Sequence, residues 1–103
     1  MVFQLKTKSD KERKAVEREV LFEIDCVPYE VDKEFNAAFA LEYINEVAGR
    51  GLDAATIWLL QRALGEGYVA LRAFPDLEPE DLGGIVNTLT EKINKAMEPG
   101  KKQ

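Results

Sequence analysis

The chain has 103 residues, enough for one domain with a single core and too few for two ordinary ones. It is 46% hydrophobic and 32% charged, a balance that excludes wholesale disorder, and no apolar run approaches the ~20 residues of a membrane span. The net charge of −5 is unevenly spread: residues 1–19 carry six basic and four acidic side chains, residues 20–98 carry six and fifteen, and the last five residues add two lysines. The acidic central part repels phosphate backbones, so nucleic acid is not an expected partner. Its acidity serves solubility and also suits a basic partner surface. The opening residues lack the apolar stretch and cleavage site of a secretory signal, and the single cysteine, Cys26, has no internal partner for a disulfide.

Residues 1–18 are polar and charged after Val2, Phe3 and Leu5. Ser9, with Glu12 three residues on, is a capping-box pattern for a short helix start, in what is otherwise a flexible charged arm. From about 20 to 31 the period changes to two: Val20, Phe22 and Ile24 alternate with Leu21, Glu23 and Asp25, then Val27, Tyr29 and Val31 with Pro28, Glu30 and Asp32. This predicts a β-hairpin. Cys26 stands where a tight turn prefers glycine, which points to a longer, looser turn, and Pro28 confines its strand to an edge.

A helix is predicted over 34–48, with Phe35, Ala38, Phe39, Ile44 and Val47 near one stripe and Leu41 and Tyr43 widening it. Gly49-Arg50-Gly51 ends it, and Asp53 is placed to cap a second helix over 54–64. There Ile57, Trp58, Leu59, Leu60 and Leu64 cover most of the circumference, so this helix is either central in the core or covers both core and partner. Gly65-Glu66-Gly67 breaks the run before a third short helix over 67–74, which stops ahead of Pro75. The stretch from Asp76 to Leu82, with Pro79 inside it, is a helix-start signal, since proline suits the first turn and carboxylates complement the helix dipole. The fourth helix, 79–97, has the cleanest periodicity: Leu82, Ile85, Val86, Leu89, Ile93 and Met97. Gly83-Gly84 weakens its start; it survives either because its buried stripe lies further on or because something packs closely on the glycines. The expected fold is therefore α+β and mostly helical: an N-terminal β-hairpin followed by three or four helices around one core. A single domain spans 19–98, and 99–103 form a flexible basic tail.

Catalytic chemistry has few candidates. The chain has no histidine, its one serine (Ser9) lies in the charged arm, and Cys26 sits between acidic neighbours that disfavour a thiolate. No glycine-rich phosphate loop is present. A calcium loop starting at Asp76 would need glycine at its sixth position and glutamate at its twelfth, where this chain has Asp81 and Asn87. No enzyme activity, metal or cofactor is expected. The chain instead reads as a protein-binding module, with Trp58 as anchor and Leu59, Tyr43, Phe39 and Leu71 beside it as the partner-binding residues.

The order of these signals resembles the tail assembly chaperones of siphophages, particularly those infecting actinobacteria. The matching stretches are Phe22-Glu23-Ile24-Asp25 and Tyr29-Glu30-Val31, then Trp58-Leu59-Leu60 to Leu64-Gly65, Tyr68 with Leu71, Pro75-Asp76-Leu77, and Pro79-Glu80-Asp81-Leu82. Cys26 departs from the family, which usually has glycine after the aspartate. The resemblance implies a protein that binds the tape measure protein in the host cytoplasm and keeps it soluble while tail tube subunits polymerise. It also implies absence from the mature virion. A longer product made by ribosomal frameshifting would reach the tail tube protein, and self-association is a further implied contact. Pro99-Gly100-Lys101 can be encoded with the slippery run GGGAAAA. The alternatives are a virion structural adaptor or head–tail connector component, or a bacterial interaction module such as an antitoxin.

Overall fold

In the computed structural model, which describes residues 2–9, 11 and 15–99, the α+β architecture expected from the sequence is present. Strands β1 (Arg18–Ile24) and β2 (Val27–Asp32) form a two-stranded antiparallel hairpin. Four helices follow: α1 (Ala37–Arg50), α2 (Leu52–Leu64), α3 (Glu66–Arg72) and α4 (Pro79–Ala96). Residues 10 and 12 of the helix start expected at 9–12, and most of the expected basic tail, lie outside the described residues.

The hairpin turn is tighter than its sequence suggests. Ile24 pairs directly with Val27, so the turn is only Asp25 and Cys26, both with positive φ (50° and 68°). A two-residue turn with this left-handed backbone matches the strand twist, and aspartate tolerates it; that match outweighs the strain at Cys26 and overturns the expectation of a looser turn. Pairs in an antiparallel ladder alternate between hydrogen-bonded and not. With Ile24 and Val27 closing the turn, the Glu23–Pro28 pair falls where no ladder donor is needed.

Between Val20 and Phe22 the register shifts by a bulge at Leu21. Leu21 and Phe22 consequently both pack against the core, whereas Val20, expected on the inward face, is 51% exposed. One extra residue exchanges the faces of every residue before it, and this turns Glu19 toward the helices.

Helix α1 starts later than expected because Asn36 caps it, accepting the Phe39 N–H at 2.8 Å. Phe35 therefore precedes the helix. The buried stripe is Ala40 and Tyr43 with Phe39 and Val47 beside them; Ala38, Leu41 and Ile44, assigned to the apolar stripe by sequence, face solvent. Gly51 (φ 93°) serves two helices at once. Its N–H closes α1 on the Val47 carbonyl at 2.9 Å, and its own carbonyl accepts from Ala55 at 3.0 Å to open α2. Asp53 is thus not the cap that its sequence position predicts; it lies in the first turn, where its charge complements the helix dipole.

Helix α2 is the central core helix. It buries Ala55, Leu59, Leu60 and Leu64 and packs against β2, α1, α3 and α4. From α4, Ile85, Leu89 and Ile93 complete the core, while Leu82 and Met97 at the ends of its stripe are partly exposed. Pro79 occupies the first turn, and the Glu78 carbonyl accepts from Asp81 and Leu82 at 3.0 and 3.1 Å, as a proline helix start requires. Nothing lies within 4 Å of a Cβ built on Gly83 or Gly84, so α4 survives its glycines through the buried stripe beyond them. Gly67 differs. A Cβ there would lie 3.3 Å from the Phe22 ring and 3.6 Å from Tyr29, so the stacked Phe22–Tyr29 pair seats the hairpin on α3.

Candidate protein-binding surface

The five residues chosen from sequence separate into two groups. Trp58, Phe39 and Tyr43 meet in an aromatic seam between α1 and α2. The Trp58 ring stacks on Phe39 at 5.3 Å and tilts against Tyr43 at 6.5 Å; Phe35 meets Phe39 edge-on at 4.8 Å. The Arg62 guanidinium covers Trp58 at 5.2 Å from the ring centre and reaches Glu42 at 3.4 Å. Trp58 is thus half-buried and capped by its own helix rather than projecting as a free anchor. Leu59 and Leu71 are core residues, 1% and 5% exposed; Leu59 is enclosed, whereas Leu71 lines an apolar groove between α2, α3 and α4. One step along a helix rotates a side chain by about 100°, which turns Leu59 inward from the seam, into the core.

The accessible apolar surface lies elsewhere. A groove of about 400 Å³ runs between α2, α3 and α4. Ile57 and Leu60 from α2 form one wall, Leu82 and Val86 from α4 the other, and Tyr68, Leu71 and Leu77 the floor and end. It exists because α3 has only seven residues, too few to cover the flanks of the two longer helices. Ile57 is 48% exposed on its rim. Asp53 lines one end, and Arg72 lies over Tyr68 at 5.9 Å.

The charged residues lining the groove are one anion, Asp53, and one cation, Arg72, and an acidic stretch adjoins the lining residues in sequence. Asp76 and Glu78 border Leu77, and Glu80 and Asp81 lead into Leu82; all four are exposed, and none forms an ion pair among the described residues. Their placement follows from the helix start, where carboxylates complement the dipole of α4. A second depression of about 490 Å³, between the hairpin and α4, lies on the other side of Glu80 and Asp81 and is more polar.

Among the described residues, no group of three or more histidine, cysteine, aspartate or glutamate side chains is arranged to hold a metal ion, and no helix is long and apolar enough to cross a membrane. Cys26 is an exposed thiol at the hairpin tip. Sequence reasoning missed Ile57, Leu82 and Val86 as groove residues. The available signal was the excess of apolar faces on α2, but it does not say which face stays open. In comparisons with known proteins, no family model, curated protein or solved structure matches the chain.

Proposed function

We propose that this chain is a tail assembly chaperone of a long-tailed phage, which binds apolar helical stretches of a tape measure protein in the α2–α3–α4 groove. The observation that carries the reading is an open groove walled by Ile57, Leu60, Leu82 and Val86, apolar apart from Asp53, Thr56 and Arg72, in a chain of 103 residues. A tape measure is a long helix-rich chain with apolar stripes, and such stripes aggregate before the tube encloses them. Laying one stripe between Ile57 and Leu82 would cover it by helix-in-groove docking. The net charge of −5 would keep chaperone-coated chains mutually repulsive and soluble. The ordered motifs from Phe22 to Leu82 support the same reading by resemblance. A longer frameshifted product would add contact with the tail tube protein, and the complex would form in the host cytoplasm and leave before the virion matures.

The test is co-expression with the large helix-rich protein encoded next to this chain. Its soluble fraction is expected to rise with the wild-type chain and to fall back with Ile57→Asp. Equal insolubility with and without the chain rejects the reading. Mass spectrometry of purified particles gives a second check, because a chaperone is missing from them and a structural adaptor is present.

A further inference from the structure

The two edges of the hairpin differ. On β2, Pro28 has no N–H to offer, and the Glu30 carbonyl already accepts from Arg18 at 3.0 Å. On β1 the pairing leaves Glu23 open. Ile24 pairs with Val27 at the turn and Phe22 with Tyr29, and hydrogen-bonded pairs alternate along an antiparallel ladder. Both backbone groups of Glu23 therefore point away from β2. Among the described residues, no backbone hydrogen bond outside the ladder reaches either of them.

The depression of about 490 Å³ lies along that edge. Four consecutive residues of β1, Leu21 to Ile24, line it, and none from β2 does. Strand side chains alternate between faces, so a cavity that meets both exposed Glu23 and half-buried Ile24 meets the strand from its side. Four residues offer about 13 Å of edge. Helix α4 forms the far wall, where nothing lies within 4 Å of a Cβ built on Gly84, so the backbone of a further strand has room. The apolar lining includes Phe74, Leu77 and Ile85, and the charged lining is Glu23, Glu80 and Asp81, three anions with no cation. None of the three forms an ion pair among the described residues.

We propose that β1 takes an added strand at this edge: an extended segment of a partner protein in which apolar residues alternate with lysine or arginine. Its period of two sends the apolar side chains toward Phe74, Leu77 and Ile85 and the cations outward to Glu23, Glu80 and Asp81, while its backbone pairs with Glu23. Charge selects the occupant, because three unpaired anions attract a basic segment and repel an acidic one. The site shares only Leu71 and Leu77 with the α2–α3–α4 groove and does not rest on a phage client.

Titration of the full chain with a capped heptapeptide alternating valine and lysine, followed by amide NMR to millimolar peptide, tests it. Shifts are expected at residues 21–24 and 84–88, with the Glu23 amide moving downfield as it gains a partner. A valine–glutamate heptapeptide is expected not to bind. Methylating the valine–lysine peptide's backbone nitrogens in alternate sets is expected to abolish binding for at least one set. Gly84→Leu, which fills the groove from an exposed helix position, is expected to weaken binding about tenfold or more, and Glu23→Lys about fivefold. Circular dichroism checks that both variants fold. No binding at millimolar peptide, equal binding of the glutamate peptide or of both methylated sets, or indifference to Gly84→Leu overturns the proposal. A wild-type dimer that the heptapeptide dissociates gives the edge to a second copy and overturns it too. Gly84 lies outside the α2–α3–α4 groove, so loss of peptide binding with client solubilisation retained separates this site from the proposed function.

Discussion

Lys92, in the penultimate turn of α4, donates to the Glu19 carboxylate at 2.7 Å and to the Lys33 carbonyl at 2.7 Å. One ammonium thereby ties β1 and the exit of β2 to the last helix. Its side chain is 10% exposed and that of Glu19 41%. The hydrogen bond from Lys92 and then its charge hold the Glu19 carboxyl below its ordinary value, against a smaller opposing effect of desolvation. A depressed carboxyl stabilises the fold above the ordinary glutamate range, and that contribution disappears as pH falls through the lowered value. Lys92→Met is therefore expected to lower stability at neutral pH, with the gap from wild type narrowing in acid. Urea unfolding at pH 7 and pH 3 measures both, and an unchanged gap contradicts the coupling.

Gly83 and Gly84 carry no close neighbour, so alanine at either position adds helix propensity without a clash. Each substitution is expected to stabilise by about 0.5–1 kcal/mol. For a domain of this size, 1 kcal/mol raises the melting temperature by about 4–8 °C, readable by calorimetry.

Cys26 holds φ at 68°, a conformation costing an ordinary residue about 1–2 kcal/mol and glycine almost nothing. Glycine loses more chain entropy on folding, about 0.5–1 kcal/mol. Cys26→Gly is expected to stabilise by about 0.5–1 kcal/mol net. Slower hydrogen exchange across the hairpin would locate the effect there.

Ile57 and Leu59 are two residues apart on α2 and answer different questions. Leu59→Ala removes a fully packed core side chain and is expected to cost about 2–5 kcal/mol, seen as a lower denaturant midpoint. Ile57→Asp changes a half-exposed rim position and is expected to move stability by less than about 1 kcal/mol while abolishing client solubilisation. A large stability loss for Ile57→Asp would show that the groove is a core feature rather than a surface.

Element identity and order were legible because the periods are clean: two in the hairpin, 3.6 in α4, with Gly51, Gly65 and Pro79 as punctuation. Phase was less legible. A one-residue bulge at Leu21 moved Val20 outward, and the Asn36 cap fixed the origin of α1 so that Leu41 and Ile44 face solvent. The bulge is a feature of strand pairing and the cap a local hydrogen bond within Asn36–Phe39, and period alone carries neither. The aromatic seam was found by residue type, since Trp58, Phe39 and Tyr43 do meet. The groove was not, because it is a gap left by the shortness of α3, and a gap has no residue signature of its own.

The contact at Gly67 links two distant stretches of chain by volume alone. A methyl group at position 67 would sit 3.3 Å from the end of the ring at position 22, closer than ordinary packing, so the ring must give way by a few tenths of an ångström to admit it. Sequences sharing this fold are therefore expected to vary at the two positions together, the ring shrinking wherever the glycine grows. That correlated pair would identify the fold in chains too diverged for their motifs to align.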